Sequence, residues 1–233
     1  DRIYASLNPS APVLFEFSSR GPLPNGSMGI DFAAPGAALS ALPSWGMSLG
    51  ESWNGTSMAA PQMAGCVALM NCAAQSSQVS VSPARIHRAF RLSAQRLPQH
   101  AWIEQGHGFI AMSEAWKFLQ ELDNLSWDER QFKVATENQF GIGAGIYWRG
   151  LPSAGNFEQA VKVVPRFDEE ASNAEKANFL RTFELESEAS WVEVPAAIYT
   201  SSKGQSFPVR LLANGLAPGL HETRILLWDA DKP

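Results

Sequence analysis

The stretch WNGTSMAAPQMAG, residues 53–65, places one small hydroxyl residue, Ser57, immediately before a run of Met, Ala, Pro and Gly. From Ser57 to about Ala74, apolar side chains recur mostly at spacings of three and four, which predicts a helix. Pro61 suits this helix because it falls near the first turn, where a missing N–H costs least. The many Ala and Gly residues allow close packing on all sides, so we expect a central, buried helix.

A serine at the start of a helix can serve chemistry or simply cap the helix. The positive end of the helix dipole and the unpaired N–H groups of the first turn suit a nucleophile, because the N–H of Ser57 can donate to an oxyanion. Gly55 leaves space for a substrate. The alternative is that Ser57 or Thr56 only caps the helix, which is common for both residue types.

Composition limits the function classes. The chain has 233 residues, 45% of them apolar and 18% charged, with a net charge of −5 and no basic block, which argues against nucleic-acid partners. No apolar run approaches the roughly 20 residues that span a bilayer, so no membrane partner is expected. Cys66 and Cys72 point to different helix faces and cannot pair, which favours a reducing compartment, the cytoplasm. No set of residues has zinc spacing and no glycine motif binds a dinucleotide, so we expect no cofactor and no metal.

The rest of the chain predicts two domains. The segment at 13–19 has the composition of a strand. Ser82 can cap a helix and Pro83 suits its first position, so a helix is predicted to begin there. Residues 111–122 predict a further helix. From about residue 126, seven or eight short apolar or alternating runs, including 145–150, predict an antiparallel sandwich. We therefore expect one domain over 1–125 and an all-β antiparallel sandwich over 126–233.

Four motifs, in order, resemble the subtilisin-like serine peptidases. The segment NGTSMAAPQMAG is similar to the nucleophile motif of that family at Gly55, Thr56, Ser57, Met58, Ala59, Pro61 and Gly65. The other three are FSSRGP (17–22), DFAAPG (31–36) and GHGFIAMSEAW (106–116). The resemblance implies the α/β C-terminal half of a subtilisin-like domain, with Ser57 as catalytic residue and with Ser57 and Thr56 serving the oxyanion hole.

Within this family the chain particularly resembles the tripeptidyl-peptidase II branch. The similar segments are GIYWRG (145–150), SWVEVP (190–195) and GLAPGLHET (215–223). The resemblance implies an exopeptidase that releases tripeptides from the free N-termini of oligopeptides. It also implies peptide substrates as partners and assembly into a homo-oligomer.

A catalytic serine requires a base and a carboxylate that orients this base. The family supplies an Asp, a His and an oxyanion Asn before the serine, but the 56 residues before Ser57 contain no histidine. Among the four histidines, His107 lies in a GHG segment, but that segment matches the end of the family domain instead. We therefore expect a piece of a longer peptidase that is inactive alone. The alternatives are a subtilisin-like endopeptidase with an appended sandwich and a non-catalytic binding or assembly module.

Overall fold

The computed structural model describes residues 12–39, 52–124, 131–150 and 155–230, which fall into two compact units. The first unit contains 12–21, 29–39 and 52–124. The second contains 22–28, 131–150 and 155–230. The domain boundary that we expected at 125/126 lies outside the described residues and stays a prediction, whereas 22–28 groups with the second unit although the sequence placed it in the first.

The described residues of the first unit form one short strand pair and four helices. Antiparallel strands β1 (Ala37–Leu39) and β2 (Ser52–Asn54) lead directly into the longest helix. The helices are α1 (Thr56–Ser77), α2 (Pro83–Ser93), α3 (Trp102–Gln105) and α4 (Met112–Asn124). Gln78 caps the C-terminal end of α1: it adopts the left-handed conformation at φ 56°, and its N–H donates to carbonyls of the last turn.

The start of α2 confirms the cap predicted from the sequence. The Ser82 hydroxyl accepts a hydrogen bond from the N–H of Arg85 at 3.2 Å, and Pro83 occupies the first helical position. Ile86, Ala89 and Phe90 are buried along one stripe of the helix. The spacing of apolar residues therefore indicates both that this segment is helical and which face of the helix is buried.

Loss of this cap gives a first testable prediction. We expect Ser82→Ala to lower the free energy of unfolding by about 1 kcal/mol, because the N–H of Arg85 loses its acceptor. Ser76→Ala is the matched control, since that exposed hydroxyl bonds only the Cys72 carbonyl one turn earlier in its own helix. Urea unfolding of the chain measures both variants, and equal midpoints for Ser82→Ala and the unaltered chain would contradict the prediction.

Helix α1 is not buried on all sides, so that expectation was wrong. Only Met70 and Ala74 are buried along it, and Leu69 is 62% exposed. A hydrophobic cluster joins α1, α2 and α4 through Met70, Ile86, Ala89, Phe90, Ala115 and Leu119. Because α2 and α4 cover one side of α1, the small residues on its other faces remain open to solvent among the described residues.

The segment 13–19 contains a turn at residues 16–18 and no strand, so the strand predicted there was wrong. The N–H of Ser18 bonds to the carbonyl of Phe15 at 3.0 Å, and the rings of Phe15 and Phe17 stack with centroids 4.9 Å apart. A strand requires a partner ladder, but here the N–H of Leu14 donates to a side chain, that of His100. The apolar composition of this segment therefore did not make it a strand.

The second unit is a β-sandwich, as predicted. Its elements are β3 (Phe132–Asn138), β4 (Gly141–Gly143), β5 (Asn156–Pro165), α5 (Asn173–Asn178), β6 (Leu180–Ser187), β7 (Val192–Glu193), β8 (Ala197–Ser201), β9 (Gln205–Leu212) and β10 (Ile225–Asp229). The strand orders are β4-β3-β5-β9-β7 and β10-β6-β8, and every pairing is antiparallel.

The core of the sandwich follows from the alternation of side chains along the strands. In β9, every second residue from Phe207 to Leu211 is buried, as the two-residue period of a strand requires. The cluster combines residues of both sheets, namely Val161, Val163, Phe183, Val192, Ile198, Phe207, Val209 and Leu211. The two sheets thus enclose one hydrophobic core.

Residues 145–150 form no strand, contrary to the sequence prediction. The side chain of Asn138 takes the place of a neighbouring strand: its amide donates to the Gly145 carbonyl at 2.9 Å and its oxygen accepts from the N–H of Tyr147 at 2.7 Å. The same amide donates to the Asn25 carbonyl at 2.8 Å. Asn138 therefore also ties residues 22–28 to this unit.

Candidate active site

Ser57 is the second residue of α1, and it does not cap the helix. Gly55 occupies the N-cap position and no side chain makes a cap hydrogen bond there. Both Thr56 and Ser57 are exposed. Among the described residues, the Ser57 hydroxyl has no hydrogen-bond partner. The capping alternative raised from the sequence is therefore wrong.

The turn before Ser57 is fixed by backbone hydrogen bonds. The N–H of Gly55 donates to the Gly36 carbonyl at 2.8 Å, and the Gly55 carbonyl accepts from the N–H of Met58 at 3.0 Å. Asn54, the residue before this turn, pairs with Ala37 across the β1–β2 ladder. The strand pair and the helix thus hold the residues on both sides of Ser57.

The backbone at Gly55 is extended, with φ 167° and ψ 162°, a conformation that any residue can adopt. A Cβ built on Gly55 would lie 3.6 Å from the sulfur of Met58, which is ordinary contact. Glycine is therefore not required here by the fold. Its lack of a side chain leaves open space beside Ser57.

The electrostatic environment of Ser57 favours negative charge. Helix α1 has 22 residues, and its first turn contains no acidic side chain. No carboxylate in the first turn of the helix therefore neutralises the partial positive charge at its N-terminus. The N–H groups of a first turn have no partners within the helix. This position could stabilise an oxyanion that forms on a carbonyl group under attack.

The histidines do not meet Ser57 in the described structure. His87 is exposed on α2, and its ring lies 6.3 Å from that of His107, with Phe32 beside both. His221 belongs to the second unit, where its Nε2 lies 2.8 Å from the Ala217 carbonyl oxygen. No hydrogen bond among the described residues joins any imidazole to Ser57.

One carboxylate–histidine pair, which the sequence did not reveal, lies at α3. The Nδ1 of His100 lies 3.5 Å from the Glu104 carboxylate. The pKa of Glu104 is lowered, first because the N–H of Ala101 donates to its carboxylate and then because Arg20 and His100 lie beside it. The Nε2 of His100 already accepts the N–H of Leu14 at 3.2 Å. This imidazole is therefore engaged in structure and is not free to act as a base.

No group of three or more His, Cys, Asp or Glu side chains among the described residues could hold a metal ion. Both Cys66 and Cys72 carry free thiols. Over the same ranges, no helix has the length and apolar character needed to cross a bilayer.

Comparison with known proteins covers both halves of the chain. The subtilase family matches residues 5–141, and the first Ig-like domain of tripeptidyl-peptidase II matches residues 130–233. Tripeptidyl-peptidase 2 of Drosophila melanogaster is 32% identical over 94% of the chain, and that of Oryza sativa subsp. japonica is 28% identical over 97%. The chain spans only 15% and 17% of the length of these two relatives.

A solved structure gives the same result for the fold. The crystal structure of tripeptidyl peptidase 2 aligns with 77% of the chain at a TM-score of 0.65 and 32% sequence identity, and the chain covers 15% of it. The α/β half followed by a sandwich, as expected from the sequence, is thus found in a solved protein of this type. Since the subtilase match extends over more than half of the chain, the chain belongs to the subtilase family of peptidases, and its second half is an Ig-like domain of the tripeptidyl-peptidase II type.

Proposed function

We propose that this chain is the nucleophile-bearing part of a serine exopeptidase that releases tripeptides from the N-termini of oligopeptides. The observation that carries the proposal is the position of Ser57. Its hydroxyl is exposed in the first turn of a long helix, and neither capping nor another described hydrogen bond engages it.

The proposed reaction is acyl transfer to Ser57. The Ser57 oxygen attacks the scissile carbonyl carbon while a base takes the hydroxyl proton. The negative charge that forms on the carbonyl oxygen is stabilised by the N–H of Ser57. Collapse of this intermediate breaks the C–N bond, and the base returns the proton to the leaving amine. Water then hydrolyses the ester on Ser57 and releases the peptide acid.

Thr56 is proposed to support this oxyanion site. It precedes the nucleophile in the first turn of α1 and is exposed beside it. Its role is indirect, because the donor nearest to the reacting carbonyl is the N–H of Ser57 itself. Thr56 is thus a supporting residue, whereas Ser57 is the catalytic one.

The base is proposed to come from another part of the parent protein. His100 is engaged by Leu14 and Glu104, and the described contacts of His87, His107 and His221 do not include Ser57. A serine without its base loses nearly all of its reactivity. The 233-residue chain alone is therefore proposed to be without peptidase activity.

The substrate class rests on the relatives. Proteins named tripeptidyl-peptidase 2 are similar to this chain over nearly all of its length, and the Ig-like domain is of the same type. This supports removal of tripeptides in preference to internal cleavage. Assembly into a homo-oligomer is proposed on the same resemblance.

The proposal is tested with a tripeptide linked to a fluorescent amine. The full-length protein should hydrolyse the reporter with a free amino terminus and leave its N-acetylated counterpart intact. A serine-directed phosphonate should label the peptide that contains Ser57, as located by mass spectrometry. Equal cleavage of both reporters would favour an endopeptidase, whereas labelling at another serine would refute the assignment of Ser57. Turnover by the isolated chain would show that it contains its own base.

A further inference from the structure

The turn that carries Ser57 rests on a contact between two glycines. The N–H of Gly55 donates to the Gly36 carbonyl at 2.8 Å, and Ser57 follows two residues later. A shift of Gly36 along this bond would therefore shift the start of α1. This makes the position of Gly36 relevant to the direction in which the serine hydroxyl points.

An aromatic ring lies beside Gly36, on the side where a Cβ would project. A Cβ built on Gly36 would lie 3.2 Å from Cε2 of Phe15 and 3.3 Å from the Gly55 carbonyl oxygen. Both distances are shorter than ordinary van der Waals contact for a Cβ, so the Phe15 ring and the Gly55 carbonyl leave little room for a side chain at Gly36. The Phe15 ring therefore lies beside the pair of glycines that are joined by the Gly55–Gly36 hydrogen bond.

The residues just before Phe15 are held by the loop that precedes α3. The N–H of Leu14 donates to Nε2 of His100 at 3.2 Å, and Gln99 donates to the Pro12 carbonyl at 3.2 Å. The His100 imidazole is fixed in turn, because its Nδ1 lies 3.5 Å from Glu104 and its carbonyl accepts from the Gln105 amide at 2.6 Å. An accepting Nε2 places the imidazole proton on Nδ1, which faces Glu104.

These contacts form one continuous path from α3 to the nucleophile. We propose that Phe15 and His100 are positioning residues for Ser57, acting through the contact between Gly36 and Gly55. The inference rests on the proposed function of Ser57 and adds residues that touch neither substrate nor nucleophile. Catalysis is sensitive to such support, since a displacement of about 1 Å can cost about 100-fold in rate.

The test uses the full-length protein and the tripeptide reporter. We expect Phe15→Ala to lower kcat about 10- to 100-fold while KM changes less than about twofold, because the serine is displaced and the rest of the substrate site is not. Phe15→Leu should recover part of the loss by refilling the space against Gly36. Val13→Ala is the matched control, since that side chain is 70% exposed in the same segment.

A second pair of variants examines the anchor. His100→Gln retains an acceptor for the N–H of Leu14 and should keep most of kcat, whereas His100→Leu removes it and should behave like Phe15→Ala. Rates are expressed per active site titrated with the phosphonate, so a fall in the amount of folded protein does not count as a fall in kcat. If Phe15→Ala does not fold, the His100 pair decides the question.

The outcomes separate this inference from the proposed function. An inactive Ser57→Ala together with unchanged kcat in Phe15→Ala and His100→Leu would overturn the positioning role alone. Equal losses in His100→Gln and His100→Leu would also overturn it, because the acceptor would then be irrelevant. Full activity in Ser57→Ala would overturn the proposed function and this inference with it.

Discussion

Ser57→Ala is expected to abolish hydrolysis by the full-length protein, with kcat lower by about a millionfold, the size of loss found when subtilisin loses its serine. The physical reason is that no other group can form the acyl intermediate at this position. Stability should change by less than about 0.5 kcal/mol, because Gly55 is the cap of α1 and the exposed hydroxyl makes no described hydrogen bond.

The experiment measures kcat with the tripeptide reporter and the melting temperature of the same samples. Ser76→Ala on the same helix is the control and should keep full activity, since its hydroxyl bonds only to the Cys72 carbonyl. A Ser57→Ala protein that melts normally and still turns over the reporter would remove the basis of the proposed function.

The largest effect on stability is expected from Gln105→Leu. Gln105 is completely buried, which is rare for a polar side chain. Its oxygen accepts from the N–H of Leu97 at 2.7 Å, and its amide donates to the carbonyls of Leu97 and His100 at 2.9 and 2.6 Å. Leucine of similar size would leave three backbone groups without these partners. Since each such group costs about 1–3 kcal/mol, we expect a loss of at least 3 kcal/mol.

Urea unfolding of the 233-residue chain, followed by circular dichroism, measures this loss. The control is Gln75→Leu, because Gln75 is exposed on α1 and should shift the free energy of unfolding by less than about 0.5 kcal/mol. A Gln105→Leu chain as stable as the control would show that the three backbone groups find other partners at little cost.

Local signals in the sequence were sufficient for much of the fold. Ser82 followed by Pro83 marks the start of α2 because a hydroxyl cap and a missing N–H both fit only that end of a helix. The alternation along β9 marks the buried face because side chains of a strand alternate in direction. The motif around Ser57 could likewise be recognised from the sequence, because its glycine, hydroxyl and small residues are contiguous.

Contacts between segments that are distant in the chain could not be predicted from the sequence in the same way. Residues 13–19 have the composition of a strand, yet they form none, and the N–H of Leu14 donates instead to the side chain of His100, 86 residues later. Residues 145–150 fail as a strand because the Asn138 side chain binds their backbone groups. In both cases a side chain forms a hydrogen bond with a backbone group that would otherwise pair with a neighbouring strand. The local sequence pattern does not indicate such a bond.

The amino-acid sequence by itself determined the helix that carries Ser57, the sandwich that follows, and the family to which the motifs belong, because each depends on residues close together in the chain. Only the tertiary structure showed that Gly55 is the cap, that α1 is covered on one side, and that His100 is already engaged. Those features depend on contacts between residues that are far apart in the sequence. Such contacts form only when the chain folds, and the sequence pattern around each residue does not show which of them will form.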